Sequence, residues 1–158
     1  LRARGWDKLT DAAIDQGLST AQWPGRLELL RRSPDFIVDG AHNPQCADAL
    51  MASLSSLYGN KKLIFLTGVL RDKDWQQMLR RALPLAKAFV VITPPSARAL
   101  DENELAGWLN AQGVPAIPAA DTDDGVRRAL AMADKDDAIC SWGSLYFTGE
   151  VRHALSAQ

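Results

Sequence analysis

Short apolar runs alternate along the chain with longer stretches in which apolar residues recur every three or four positions. The runs Phe36-Ile37-Val38, Leu63-Ile64-Phe65-Leu66, Phe89-Val90-Val91-Ile92 and Ala138-Ile139-Cys140 predict buried strands, and Ala116-Ile117 a weaker one. Between them, Ala47, Leu50, Met51, Leu54 and Leu57 mark the apolar face of one helix. Trp75, Met78, Leu79 and Ala82 mark a second, and Leu105, Trp108 and Leu109 a third. A further helix is predicted from Thr122 to Ala133 and a last one from Ser144.

Polar punctuation sets the boundaries. Asn43 suits a helix cap and Pro44 the first helical position, while Gly59-Asn60 ends that helix. The next helix should begin near Asp72, with Pro84 near its end. Asp101-Glu102-Asn103-Glu104 has the form of a capping box, and Gly113 is a stop. Upstream, an amphipathic helix is predicted from Asp7 to Gln16, ended by Gly17. Trp23-Pro24-Gly25 then leads into an edge-like strand within Arg26-Leu27-Glu28-Leu29-Leu30.

Near-continuous apolar strands separated by amphipathic helices predict an α/β fold, a doubly wound and mostly parallel sheet with helices on both faces. In such folds ligands lie beyond the carboxyl ends of the strands. That rule gathers Asp39, His42 and Asn43, then Thr67 and Gly68, Thr93, and Ser141, Gly143 and Ser144 onto one rim.

Composition narrows the classes. The 158 residues, 47% hydrophobic and 23% charged, fit one domain that can build its core without disulfides or a structural metal. Eighteen basic against nineteen acidic residues leave a net charge of −1, so no global field favours nucleic acid or an anionic membrane. Cys46 and Cys140 form neither a CxxC pair nor a disulfide pattern, which suits two small buried hydrophobes and a reducing cytoplasm. Phe89 to Ile92, the longest apolar run, is too short to cross a bilayer. The start, Leu1-Arg2-Ala3-Arg4-Gly5-Trp6, lacks an initiator Met and a secretory signal, so the chain is expected to be a piece of a longer one.

Each candidate residue has a chemical and a plainer role. Asp39 can bond a ribose hydroxyl, orient a cation or close its turn. His42 can contact phosphate or orient a substrate, or serve as a cap; no partner stands at metal-ligand spacing, and no metal site is expected. Arg26 can grip an anion with its guanidinium fork or remain a solvated strand residue. Lys73 and Asp74 can form a charge pair at the rim or begin a helix. The chain contains no GxxxxGK[ST], GxGxxG or GxSxG motif and no paired-histidine zinc motif, hence no self-sufficient catalytic constellation.

Five ordered blocks carry a resemblance. They are Trp23-Pro24-Gly25-Arg26-Leu27-Glu28; Asp39-Gly40-Ala41-His42-Asn43-Pro44; Gly68 with Asp72-Lys73-Asp74; Thr93 with Arg98-Ala99-Leu100; and Gly143-Ser144-Leu145-Tyr146-Phe147 with Gly149-Glu150-Val151. Over nearly its whole length the chain resembles the C-terminal domain of folylpolyglutamate synthase, often bifunctional with dihydrofolate synthase, in the Mur ligase superfamily. The resemblance implies ATP-dependent amide-bond formation, in which a folate or dihydropteroate carboxylate takes the γ-phosphoryl group and the amine of glutamate attacks the acyl phosphate. It places the phosphate loop, the Mg2+ ligands and most of the pteroyl pocket in a larger N-terminal ATPase domain of the same protein. Residues 1–22 would be an interdomain helix and linker, and residues 23–158 the Mur ligase C-terminal domain.

Position by position, the resemblance implies that Arg26 contacts ATP phosphates and Asp39 the adenosine part. It implies that His42 faces the reacting centre and the incoming glutamate, with Ser144 on the same side, and that Lys73 and Asp74 stand in the cleft. The chain alone is expected to be inactive. Two other readings are a peptidoglycan-precursor or cyanophycin-type ligase, and a non-catalytic nucleotide-binding module.

Overall fold

Six strands form one sheet: β1 (Glu28–Arg31), β2 (Asp35–Val38), β3 (Leu63–Thr67), β4 (Ala86–Val91), β5 (Ala116–Pro118) and β6 (Ala138–Trp142), in the spatial order β1-β2-β6-β3-β4-β5. The computed structural model describes residues 2–6, 9–21 and 23–157. β1 pairs antiparallel to β2 at one edge, and all other neighbours are parallel. From β2 the chain steps through β3 and β4 to β5 in one direction. Its crossovers α2 (Pro44–Tyr58), α3 (Trp75–Ala82) and α4 (Glu102–Ala111) cover one face. It then returns to place β6 between β2 and β3, and α5 (Thr122–Met132) and α6 (Thr148–Ser156) cover the other face. Right-handed crossovers require this change of face when the direction of travel reverses. The doubly wound sheet expected from the sequence is thus the observed architecture.

Strand β6 shows why both faces are apolar. Its residues are all buried, with Ala138, Cys140 and Trp142 in the core under α2 to α4 and Ile139 in the core under α5 and α6. Phe65 of β3 packs on Phe89 and, edge-on, on Trp142, with ring centroids 5.3 and 6.1 Å apart. Burial pushes the Cys140 thiol well above its usual range, as suits a small hydrophobe; Cys46 is half-buried. Among the described residues, no helix is long and apolar enough to cross a membrane.

Several boundaries differ from the sequence reading. The first helix, α1, spans Asp11–Thr20, because Thr10 accepts a hydrogen bond from the Ala13 amide and caps it there. Gly17 lies inside α1 and lacks the positive φ with which glycine ends a helix, while Asp7 falls outside the described residues. None of the α1 residues is buried. Leu57, expected on the core face of α2, is 61% exposed; the half-buried Tyr58 packs instead and donates to Asp35 Oδ2 at 2.9 Å. α3 begins at Trp75 with Asp74 as its cap, and Ser144 caps a 3-10 turn, Leu145–Phe147, that precedes α6. Asp101 caps α4 as predicted, but the Glu104 carboxylate binds Arg71 at 2.9 Å instead of completing the box.

Asp124 ties α5 to the end of β5. Its Oδ2 accepts from the Ala120 amide at 3.1 Å and from Arg128 Nε at 2.6 Å, and Oδ1 pairs with Arg127. The Ala120 bond first, then the two guanidiniums, hold its carboxyl below the usual range. A carboxyl depressed in the folded state stabilises fully above its unfolded value, about pH 4, and that stability is lost as pH falls through the folded value. Asp124→Asn should therefore flatten the decline in unfolding midpoint below about pH 4. Thermal scans across that window check it, and an unchanged acid slope contradicts it.

Candidate functional site

The connections after β2 and β3 run over one face and the connection after β6 over the other, so their carboxyl ends diverge around a crevice. His42, Leu70, Lys73, Arg98, Gly143, Ser144, Leu145 and Tyr146 line an open cleft of about 200 Å3 there. The fold thus brings His42, Lys73 and Ser144 together from three different strand ends. Asp74 caps α3, accepting from the Gln77 amide at 3.3 Å.

Two glycines make the crevice possible. A Cβ at Gly143 would stand 2.7 Å from both Gly68 O and Thr67 Oγ1, and Gly143 has a φ of +113°. A Cβ at Gly68 would stand 2.7 Å from Ile92 O. The ends of β6, β3 and β4 therefore approach more closely than side chains allow.

Ser144 is 3% exposed, and its Oγ accepts from the Tyr146 amide at 3.3 Å, which leaves its proton available for another acceptor. His42 Nδ1 lies 2.8 Å from Gly40 O. A carbonyl only accepts, so Nδ1 carries the proton, and in the neutral ring Nε2 is the acceptor. Arg98, which sequence reasoning noted only as part of a motif, spans the cleft. Its guanidinium donates to Asp72 Oδ2 at 2.8 Å and to Tyr146 Oη at 3.2 Å, and the Tyr146 hydrogen bond, with the Asp72 charge, pushes its pKa further up. The cleft carries Lys73, the Asp72-paired Arg98, an imidazole and the hydroxyls of Ser144 and Tyr146, which suits an anionic guest.

Other rim residues serve the scaffold. Thr67 Oγ1 donates to Trp142 O at 2.9 Å in the core, and Thr93 Oγ1 accepts from the Glu102 amide at 3.0 Å at the start of α4. Ser141 is buried, and its carbonyl accepts from the Asp39 amide at 2.9 Å.

Across Leu145 lies the loop that carries Arg26. A Cβ on Gly40 would collide with Leu145 and stand 3.3 Å from Arg26 Nη1, so the guanidinium lies against the β2–α2 turn. Among the described residues no carboxylate pairs with it. Asp39, 9% exposed, accepts from the Leu27 amide at 2.8 Å through Oδ2 and from the Ala41 amide at 2.7 Å through Oδ1. Gly40 N donates to Gly25 O at 2.8 Å. Asp39 thus closes its own turn and also fastens the Arg26 loop. An open hollow of about 350 Å3, lined by Trp23, Pro24, Arg26, Leu27, Glu28 and Leu29 among others, flanks this loop.

Sequence reasoning missed Glu28 as a brace. Its Oε2 accepts from the Gly25 amide at 2.7 Å and from Arg152 Nη2 at 2.5 Å, and Arg152 chiefly holds its carboxyl below the usual range. Strand β1 and helix α6 meet only in the fold, so nothing in the local pattern marks this pair.

The family of the Mur ligase, glutamate ligase domain, matches residues 25–145. Folylpolyglutamate synthase of Lacticaseibacillus casei is 32% identical over 151 residues, covering 93% of this chain and 33% of the relative. A bifunctional folylpolyglutamate synthase/dihydrofolate synthase from Yersinia pestis, solved with AMPPNP and Mn ion, superposes with a TM-score of 0.83 at 30% identity over 94% of this chain and 35% of that one. A further bifunctional folylpolyglutamate synthase/dihydrofolate synthase structure, with Mn, AMPPNP and L-glutamate bound, gives a TM-score of 0.76 at 30% identity over the same shares. The chain spans about a third of the length of these relatives. With its sheet order, its crevice and its matched motifs in agreement, the chain belongs to the Mur ligase family as a glutamate ligase domain.

Proposed function

We propose that this chain is the C-terminal domain of an ATP-dependent ligase that adds L-glutamate to a folate or dihydropteroate carboxylate through an acyl phosphate. The observation that carries the reading is the pairing of two neighbouring features. One is the cleft of His42, Lys73, Arg98 and Ser144; the other is the exposed Arg26 on its braced loop, without an ion pair among the described residues. A relative with a nucleotide analogue and glutamate bound together supports the same pairing of ligands.

In this reading Arg26 takes ATP phosphates through its guanidinium fork. Asp39 faces the adenosine part with the carboxylate lone pairs left over after its two backbone bonds. Lys73 supplies positive charge for the carboxylates of the incoming glutamate. His42, with Nε2 as acceptor, takes the proton that the attacking amine releases as the amide bond forms and phosphate departs. Ser144 donates its hydroxyl proton to an oxygen at the same centre. Among the described residues no group of three or more His, Cys, Asp or Glu side chains is placed to hold a cation. Mg2+ is assigned to an N-terminal ATPase domain, which would also cradle the triphosphate, in keeping with the AMPPNP and Mn ion bound by a longer relative. Residues 1–22 act as interdomain helix and linker, residues 23–158 form the ligase domain, and the enzyme works in the cytoplasm.

The division of labour is testable directly. The 158-residue chain, given ATP, Mg2+, a pteroate acceptor and glutamate, should release no ADP above background, whereas the full-length ligase carrying it should do so only when glutamate is present. Steady turnover by the chain alone overturns the division. Glutamate-dependent turnover of the full-length enzyme with a peptidoglycan precursor in place of the pteroate overturns the choice of acceptor.

A further inference from the structure

The Arg26 loop has an unusual backbone. Both neighbours of Arg26 lie in the left-handed region, Gly25 at φ +73° and Leu27 at φ +42°. For leucine that conformation is costly and must be imposed from outside. Two carboxylates impose it, Asp39 on the Leu27 amide and Glu28 on the Gly25 amide.

These two carboxylates stand close in sequence or space to a guanidinium that makes no ion pair among the described residues. Each oxygen of Asp39 already accepts from a backbone N–H group. Glu28, two positions from Arg26, is instead claimed by Arg152, which reaches across from α6. Opposite charges so near one another normally associate, and a carboxylate on Arg26 would compete with any phosphate for the same fork.

We infer that Arg152 is a positioning residue for nucleotide: by holding the Glu28 carboxylate on the Gly25 amide, it keeps the Arg26 loop in shape and leaves the Arg26 charge unneutralised for phosphate. This inference rests on the proposed role of Arg26. It assigns a function to a residue in the last helix that lies outside the hollow beside Arg26. Glutamine at position 28 still accepts from the Gly25 amide but carries no charge to offer Arg26, which separates the two duties of Glu28.

The test uses the full-length ligase. Arg152→Ala is expected to raise KM for ATP about threefold or more, with kcat and KM for glutamate little changed. Arg152→Lys should stay close to the parent enzyme, because it can still hold Glu28. Adding Glu28→Gln to Arg152→Ala should restore most of the lost ATP affinity, since the competing charge is gone. A purely structural pair predicts the opposite, that the double variant is at least as impaired as Arg152→Ala and that all kinetic constants suffer together. Either that pattern or an unchanged KM for ATP in Arg152→Ala overturns the inference. If Arg26→Ala itself leaves ATP kinetics unchanged, the assignment of Arg26 fails instead.

Discussion

Replacing Gly143 with alanine is expected to destabilise the domain by about 2–4 kcal/mol, the sum of an unfavourable φ and a collision with backbone. The φ of +113° is one that a Cβ disfavours whatever the surrounding space. The space is also absent, because the new methyl would stand 2.7 Å from Gly68 O and from Thr67 Oγ1. Neither atom can yield cheaply. Gly68 has no room even for a Cβ, which would stand 2.7 Å from Ile92 O, and Thr67 Oγ1 is committed to Trp142 O. For a domain of this size the loss corresponds to a fall in Tm of about 5–15 °C. Thermal unfolding of the 158-residue chain measures it, and a Tm within about 2 °C of the parent would contradict the account. Because Gly143 precedes Ser144 and lines the cleft, the surviving folded fraction should also show a rearranged site, visible as shifted amide resonances for His42 and Ser144.

The second large effect concerns nucleotide. Arg26→Ala and Asp39→Ala should each weaken ATP use by the full-length ligase, by about 1–3 kcal/mol in kcat/KM, the worth of one charged hydrogen bond. The two losses have different origins. Arg26→Ala removes the cation and leaves the loop intact. Asp39→Ala orphans the Leu27 and Ala41 amides, releases the residue beside Arg26 and so misplaces the cation as well. The double variant should therefore lose less than the two single losses combined. Asp39→Ala should also lower the stability of the chain, which Arg26→Ala should not. Unchanged ATP kinetics in both single variants reject the site, and strict additivity rejects the shared loop.

Local chemistry decided what could be foreseen. Asn43 and Pro44 announce the start of α2 because a cap satisfies amides a few residues away, and Asn43 Oδ1 does accept from the Cys46 amide at 2.8 Å. The four inner strands β2, β6, β3 and β4 are legible because burial on both faces leaves unbroken apolar runs, whereas the edge strand β5, buried only at Ala116, gives a weaker signal. α1 begins later than its apolar pattern suggests, because it buries no residue and no packing constrains that pattern. Leu57 kept helical spacing but lies at the last turn of α2, where Tyr58 takes the inward place and anchors to Asp35. In the candidate site, Arg26, Asp39, His42 and Ser144 were marked by their motifs and by the strand-end rule. The double duty of Asp39 and the pairing of Glu28 with Arg152 were not, because each depends on segments that meet only after the sheet has formed.

The placement of β6 also bears on how the domain comes into being. The strand made last enters the middle of the sheet, between two strands synthesised long before it. In the finished sheet β2 and β3 each pair with β6 and not with one another, so until residue 142 has been made the native partner of both apolar edges is missing. The sheet can therefore close into one piece only after β6 has been made, whatever order the earlier strands take up.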